Sequence, residues 1–186
     1  MFGQGASSAM EPQITDIAIL GAGAVGQLIC HQLHSAGLAV GLIARESVST
    51  SEATDWQDLV FCPLPSTDAS ADSVSYRVPK VSLDSTGLQQ VKLLIVCVKA
   101  YQVVDTISPL LDKLSPQCHI LLLHNGMGPH LALAPKLQGR GLSLGTTSQG
   151  VLRQSRWQVK QTGQGLTQFG HFIGPVLSQA LRDGLL

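Results

Sequence analysis

The sequence predicts an α/β fold: a doubly wound, mostly parallel sheet that ends in a C-terminal β-hairpin and a final helix. Three observations carry this. Short apolar runs alternate with segments of helical periodicity, the first run leads straight into a Gly-x-Gly-x-x-Gly turn that opens a helix, and the pattern changes after Gly150 to strand-like segments around glycines.

Each element follows in order. Ile17 to Leu20 reads as the first strand. Val25, Leu28, Ile29, Leu33 and Ala36 share one face of a helix, which Gly37 stops. Leu38 to Ala44 is the second strand. Residues 46–73, rich in Ser, Thr, Asp and Ala, read as exposed surface of variable conformation, with a short strand at Leu59 to Cys62. Val74 to Val78 is a strand ended by Pro79. Val91 to Val98 is almost wholly apolar and half β-branched, as a central parallel strand buried on both faces should be. Tyr101 to Leu114 places Val103, Val104, Ile107, Leu110 and Leu111 at helical spacing, with Pro109 kinking or splitting the helix. His119 to Leu123 and Ser143 to Thr147 are further strands. Arg156 to Thr162 and Leu166 to Ile173 read as a hairpin joined by Gly163-Gln164-Gly165. Pro175 then opens a last amphipathic segment, Val176 to Leu186.

Composition narrows the class. The 186 residues suffice for one well-buried domain, assigned to residues 16–186 behind a disordered leader, 1–15, in which Met10 is an alternative start. With 44% hydrophobic residues, 13% charged and a formal net charge of zero, the chain reads as neither disordered nor nucleic-acid binding. No apolar run reaches the roughly 18 residues of a membrane span, so a cytoplasmic protein without a membrane partner is expected. Cys30, Cys62, Cys97 and Cys118 show no CxxC spacing and read as mostly buried free thiols. The low charge leaves apolar surface for another domain or a second copy, so a homodimer is an expected assembly.

The glycine turn, Gly21-Ala22-Gly23-Ala24-Val25-Gly26, carries the chemistry. Gly21 permits the tight turn, Gly23 lets backbone approach a pyrophosphate, and Gly26 lets helix and strand pack closely. The helix N-terminus adds free N–H groups and partial positive charge. Alone the motif is weak; with strand, helix and second strand in place it predicts a Rossmann-like dinucleotide site. An acidic residue ending the second strand would bind the ribose 2′-OH of NAD, a basic one the 2′-phosphate of NADP. Arg45 comes first and points to NADP(H); Glu46 gives the NAD reading if the strand runs one residue longer.

Two later strand ends add polar corners: Lys99-Ala-Tyr-Gln102 and His124-Asn125-Gly-Met-Gly128. Lys99 reads as a phosphate or ribose contact, or as a solvated helix-start lysine. Asn125 reads as an amide aimed at nicotinamide or substrate, or as part of a plain Asn-Gly turn. His31 and His34 lie three apart on the first helix, but nothing joins them in a metal-ligand motif, so they read as solvated or packed. His124, just before Asn125 at a strand end, reads as structural or as a neighbour of the site, Asp105 and Asp112 as a solvated helix face, and Trp56 and Trp157 as packing residues.

Gly21-Ala-Gly-Ala-Val-Gly26, Val98-Lys-Ala-Tyr-Gln102, Leu123-His-Asn-Gly-Met-Gly128, Leu144-Gly-Thr-Thr147 and Ile173-Gly-Pro175 resemble successive motifs of the ketopantoate reductase family, the 2-dehydropantoate 2-reductases of pantothenate biosynthesis. The resemblance runs along most of residues 16–175. It implies NADPH-dependent reduction of the 2-keto group of ketopantoate to pantoate. It also implies Lys99 and Gln102 along the cofactor, Asn125 near nicotinamide and substrate, and Arg45 on the 2′-phosphate. The family continues into a helical domain that supplies a proton-donating lysine and a substrate-holding glutamate. Neither maps onto this sequence, and Lys136 and Lys160 lie outside the matching motif, so no catalytic residue is assigned. A non-catalytic NADP-binding module and a reductase for another 2-keto acid are the rival expectations.

Overall fold

The structure, a computed structural model, describes residues 12–44, 54–65, 72–124, 126 and 128–185. A strand whose successive side chains are all apolar must be covered on both faces. In β1 (Ile17–Leu20), Ile17 and Ile19 join one core, while Ala18 and Leu20 join the other. β5 (Leu93–Val96) and β6 (His119–Leu123) divide in the same way. α1 (Ala24–Ser35) covers the first face with Leu28, Ile29 and Leu33. The second is covered by Val103 and Ile107 of α2 (Val103–Ile107) and Leu133 of α3 (Pro129–Leu133). Past Ala36 the chain turns: Gly37 N–H donates to His34 O and Leu38 N–H to Leu33 O, both at 3.0 Å, the paired bonds of a Schellman close.

The other strands are β2 (Val40–Ala44), β3 (Thr54–Cys62), β4 (Val74–Ser82), β7 (Leu142–Thr147), β8 (Gly150–Ser155), β9 (Gln158–Gly163) and β10 (Thr167–Ile173). Among the described residues they form one ten-stranded sheet in the order β10-β7-β6-β5-β1-β2-β4-β3-β9-β8. The run from β7 through β5 and β1 to β4 is parallel; β7–β10, β3–β4 and β8–β9 are antiparallel.

The hairpin differs from the sequence expectation. β9 pairs with β8 through a turn at Arg156-Trp157, and β10 pairs with β7 at the opposite edge. Residues 142–155 and 158–173 thus form one long antiparallel ribbon. Its bend is held by the Ser148 N–H to Leu166 O bond at 3.0 Å, with Gly150 beside Gly163. The ribbon arches across α1, and Val151, Trp157 and Phe169 pack on the α1 core. Gly163-Gln164-Gly165 connects β9, beside one edge of the sheet, to β10 at the other, so these two strands do not pair with each other.

Other differences have local causes. Pro79 lies inside β4: pairing with β2 begins one residue later, at Leu42 with Lys80, so its missing N–H interrupts no rung there. β3 is longer than Leu59 to Cys62 because Thr54 to Phe61 zip against β4. Pro109 does split the second helix, leaving 3-10 turns at Ala100–Gln102 and Ser108–Leu110 around α2. α3 was not expected; Pro129 occupies its first turn, where a missing N–H costs nothing. The last helix, α4 (Gln179–Leu185), begins three residues after Val176 and packs Leu181 and Leu185 on the α1 core. Ile14, within the expected leader, is buried. Trp56 is exposed rather than packed. His31 stacks on Phe61 with ring centroids 3.8 Å apart, and burial, then the His34 charge, holds its imidazole below the ordinary value.

At the amino ends of the strands a cavity of about 670 Å³ is lined by Asp16, Lys92, His119 and Arg140. Its polar groups are matched to protein. Asp16 pairs with Lys92 at 2.8 Å, and the His119 ring shares a 2.8 Å bond with Ser143 Oγ. Arg140, 3% exposed, donates to the carbonyls of Leu111 (2.7 Å), Leu114 (2.9 Å), Ser115 (3.0 Å) and Leu137 (3.3 Å) and to Gln138 Oε1 (3.1 Å). A guanidinium has five N–H donors, and these oxygens, three of them carbonyls just past the α2 segment at Leu111, Leu114 and Ser115, surround its charge in place of a carboxylate.

Candidate cofactor groove

In open α/β sheets ligands bind beyond the carboxyl ends of the strands, and a groove of about 340 Å³ lies there. Its floor is the glycine turn. Gly21 has φ +103°, and a Cβ on Gly26 would come 1.9 Å from Gly21 O. Only glycine fits both places, because α1 begins directly beneath the turn. A Cβ on Gly23 would meet nothing within 4 Å. The fold itself therefore places no steric demand for glycine at this position. α1 starts at Ala24 with no side-chain cap and no acidic residue in its first turn, so its leading N–H groups face the groove with the positive end of the helix dipole.

The walls come from the neighbouring strands. Ile43 and Ala44 end β2 on one side, and Cys97, Val98, Lys99 and Gln102 follow β5 on the other. The Lys99-Ala-Tyr-Gln102 corner is self-capped: Lys99 N–H donates to Gln102 Oε1 (3.3 Å) and Gln102 N–H to Lys99 O (2.8 Å). Burial, then the nearby Cys30, pushes the Cys97 thiol up to about 12, so it stays protonated and is no nucleophile at neutral pH.

The corner after β6 abuts this one. Gly126 has φ +135°, and a Cβ there would come 3.2 Å from Ala100 Cβ. Beside it a second opening, about 690 Å³, is lined by His124, Gly126, Thr146, Phe169 and Phe172. His124 borders this cavity, in keeping with its place beside the candidate site in the sequence.

The structure thus brings Gly21, Ala22, Gly23, Lys99 and Gln102 to one groove. Ala24, Val25 and Gly26 open the helix beneath it. Arg45 and Asn125 lie outside the described residues; the described neighbours Ala44 and Gly126 stand at the groove and at its adjoining corner. Sequence reasoning missed Thr106, Arg153, Arg156 and Trp157, which also line it. It missed Gln27 as well, which is fully buried and donates from Nε2 to Ala22 O and Arg156 O, both at 2.9 Å. No local signal marks a residue brought in by the ribbon.

A family model described as ketopantoate reductase PanE/ApbA matches residues 17–174. The chain belongs to the ketopantoate reductase family. Within it, a 2-dehydropantoate 2-reductase of Vibrio cholerae is 36% identical over 157 residues, covering 84% of this chain and 47% of the relative. The chain spans about half the length of the curated relatives it matches. In fold it is similar to a crystal structure of 2-dehydropantoate 2-reductase from Methylococcus capsulatus. There the TM-score is 0.69 at 20% identity, over 91% of this chain and 52% of that one. A D-mandelate dehydrogenase in complex with NADH matches with a TM-score of 0.66 at 24% identity, over 92% and 52%. Among the described residues no helix is long and apolar enough to cross a membrane.

Proposed function

We propose that this chain is the NADP(H)-binding part of an enzyme that reduces 2-dehydropantoate (ketopantoate) to pantoate in pantothenate biosynthesis. One observation carries the reading: the glycine turn, the end of β2 and the Lys99–Gln102 corner meet at a single groove that has open space at Gly23. The bound cofactor supplies a hydride; the chain supplies position and electrostatics. The backbone of Gly21 to Gly26 and the start of α1 hold the pyrophosphate. Arg45 takes the 2′-phosphate, and Lys99 and Gln102 lie along the cofactor. Asn125 is assigned to the nicotinamide and substrate by the family resemblance. The alkoxide that forms needs an acid within hydrogen-bond reach, and no residue of this chain is assigned that part.

Titration with NADPH, followed by quenching of Trp157 fluorescence, tests the cofactor half; saturable binding is expected and none by the folded chain contradicts it. Ketopantoate-dependent NADPH oxidation tests the enzyme half: turnover supports the reductase, whereas binding with no turnover favours a cofactor-binding module. We further infer a cytoplasmic protein. Exposed Leu131, Phe172 and Ile173 support self-association, which light scattering reads directly.

A further inference from the structure

We propose that Gln27 is a positioning residue for the cofactor: its side-chain amide fixes the Ala22–Gly23 peptide so that the Gly23 N–H stands ready for the pyrophosphate. This role rests on the NADP(H) reading above and falls to a side chain that does not itself line the groove.

Gln27 sits one turn into α1 and is fully buried. Its backbone serves the fold. The N–H donates to Gly23 O at 3.0 Å, closing the first turn of the helix, and the carbonyl accepts from Tyr76 Oη at 3.3 Å. Its side chain reaches two turns instead. Nε2 donates to Ala22 O in the glycine turn and to Arg156 O in the turn between β8 and β9, both at 2.9 Å. Both partners are carbonyl oxygens, so only the NH2 end of the amide can face them, and its orientation is settled by chemistry. The bond to Arg156 O keeps the amide from turning about its last torsion. The bond to Ala22 O is the one that acts on the site.

This use of the side chain works against the fold. The buried Oε1 has no hydrogen-bond partner among the described residues. An apolar side chain of the same length would leave no such acceptor, and the neighbouring Leu28, Ile29 and Cys30 are buried apolar residues. What the amide contributes therefore lies in the turn it holds.

A peptide unit is planar and trans, so its N–H points opposite to its C=O. With Ala22 O held toward the buried Gln27, the Gly23 N–H is held the other way, on the side of the groove that Ala22 and Gly23 line. Untied, this peptide turns over easily, because Gly23 at its nitrogen end lacks a Cβ and has room around it. Turned over, it presents the Ala22 carbonyl oxygen to the phosphates in place of a donor. A donor already aimed needs less ordering on binding, and a hydrogen bond to an ionised phosphate is among the strong ones.

Gln27→Met tests this, because it keeps the length of the side chain and removes both bonds. NADPH and NADH should each weaken about tenfold or more, since both carry the pyrophosphate. Adenosine 2′-monophosphate, which has no 5′-phosphate, should shift by less than about threefold. The melting temperature should hold or rise, because the unpartnered acceptor is gone. A merely structural role would lower the melting temperature and weaken all three ligands alike. That result, or NADPH binding equal to that of the parent chain, would overturn the proposal and leave the cofactor groove standing. A second measurement needs no variant. In the parent chain the Gly23 amide proton, followed by NMR, should move downfield as NADPH is added; a signal that stays in place at saturation would overturn the proposal. A folded chain that binds no NADPH would overturn both the proposal and the NADP(H) reading.

Discussion

Arginines stand at both ends of the sheet, and they are used in opposite ways. Arg140, at the amino ends, is buried and gives its donors to protein oxygens. Arg153 and Arg156, at the carboxyl ends, are exposed beside a groove whose glycine turn is open at Gly23. A guanidinium matched by carbonyls holds chain segments together. Arg153, by contrast, gives Nε and Nη2 to Ser155 O and Arg156 O of its own hairpin turn and ties no separate segments together. The difference predicts that one end governs stability and the other affinity.

The largest expected effect tests the first half of that contrast. Arg140→Ala removes the donors for five buried or half-buried acceptors and should destabilise the chain by about 3–5 kcal/mol in urea unfolding. NADPH affinity should be unchanged at temperatures where the variant is folded; a parallel loss of affinity would break the contrast. Next comes Gly26→Ala. Its Cβ would lie 1.9 Å from Gly21 O, and forcing it in should cost about 1–3 kcal/mol or more, with cofactor binding lost because the turn itself moves. Thermal melts and titration on the same sample read both.

A smaller, pH-dependent effect belongs to the amino end. Burial, and then the His171 charge, lowers the His119 imidazole from 6.5 to about 4, with the backbone at Pro175 opposing. Between these values the unfolded chain binds a proton that the folded chain refuses. Stability should therefore rise with pH from about 4 to 6.5 and be lost as pH falls through that window. The slope should flatten in His119→Gln; an unchanged slope would place the proton uptake elsewhere. The smallest expected effect is on Cys97. Its thiol, pushed up to about 12, should react with iodoacetamide far more slowly at pH 8 than a free cysteine does, although it lines the groove.

What the sequence made legible follows the same divide. The glycine turn was readable because the fold demands glycine at Gly21 and at Gly26 within one short segment. β1, β5 and β6 were readable because apolar runs such as Leu93–Val96 have no role other than a strand buried on both faces. The ribbon was not. Gly163-Gln164-Gly165 has the composition of a tight turn, and Arg156-Trp157, the actual turn, has no glycine, proline or asparagine. Strand partners are chosen by which sheet edge is open, and that is settled far away in sequence. Gln27 shows the same limit at the site. It looks like any helix-forming glutamine, and only the arching of the ribbon over α1 buries it between two carbonyls. Pro129 did carry a signal for α3, a proline in a first helical turn behind Gly128, but five residues are too few to show a periodicity.

The central claim is that the space beside Gly23 is kept for the phosphates of a dinucleotide. Gly23→Ala tests it most directly, because a Cβ there touches no protein atom within 4 Å. Measured together by thermal melt and NADPH titration, the variant should keep its stability to within about 0.5 kcal/mol and bind at least tenfold more weakly. An alanine variant that binds NADPH as tightly as the parent chain would contradict the account.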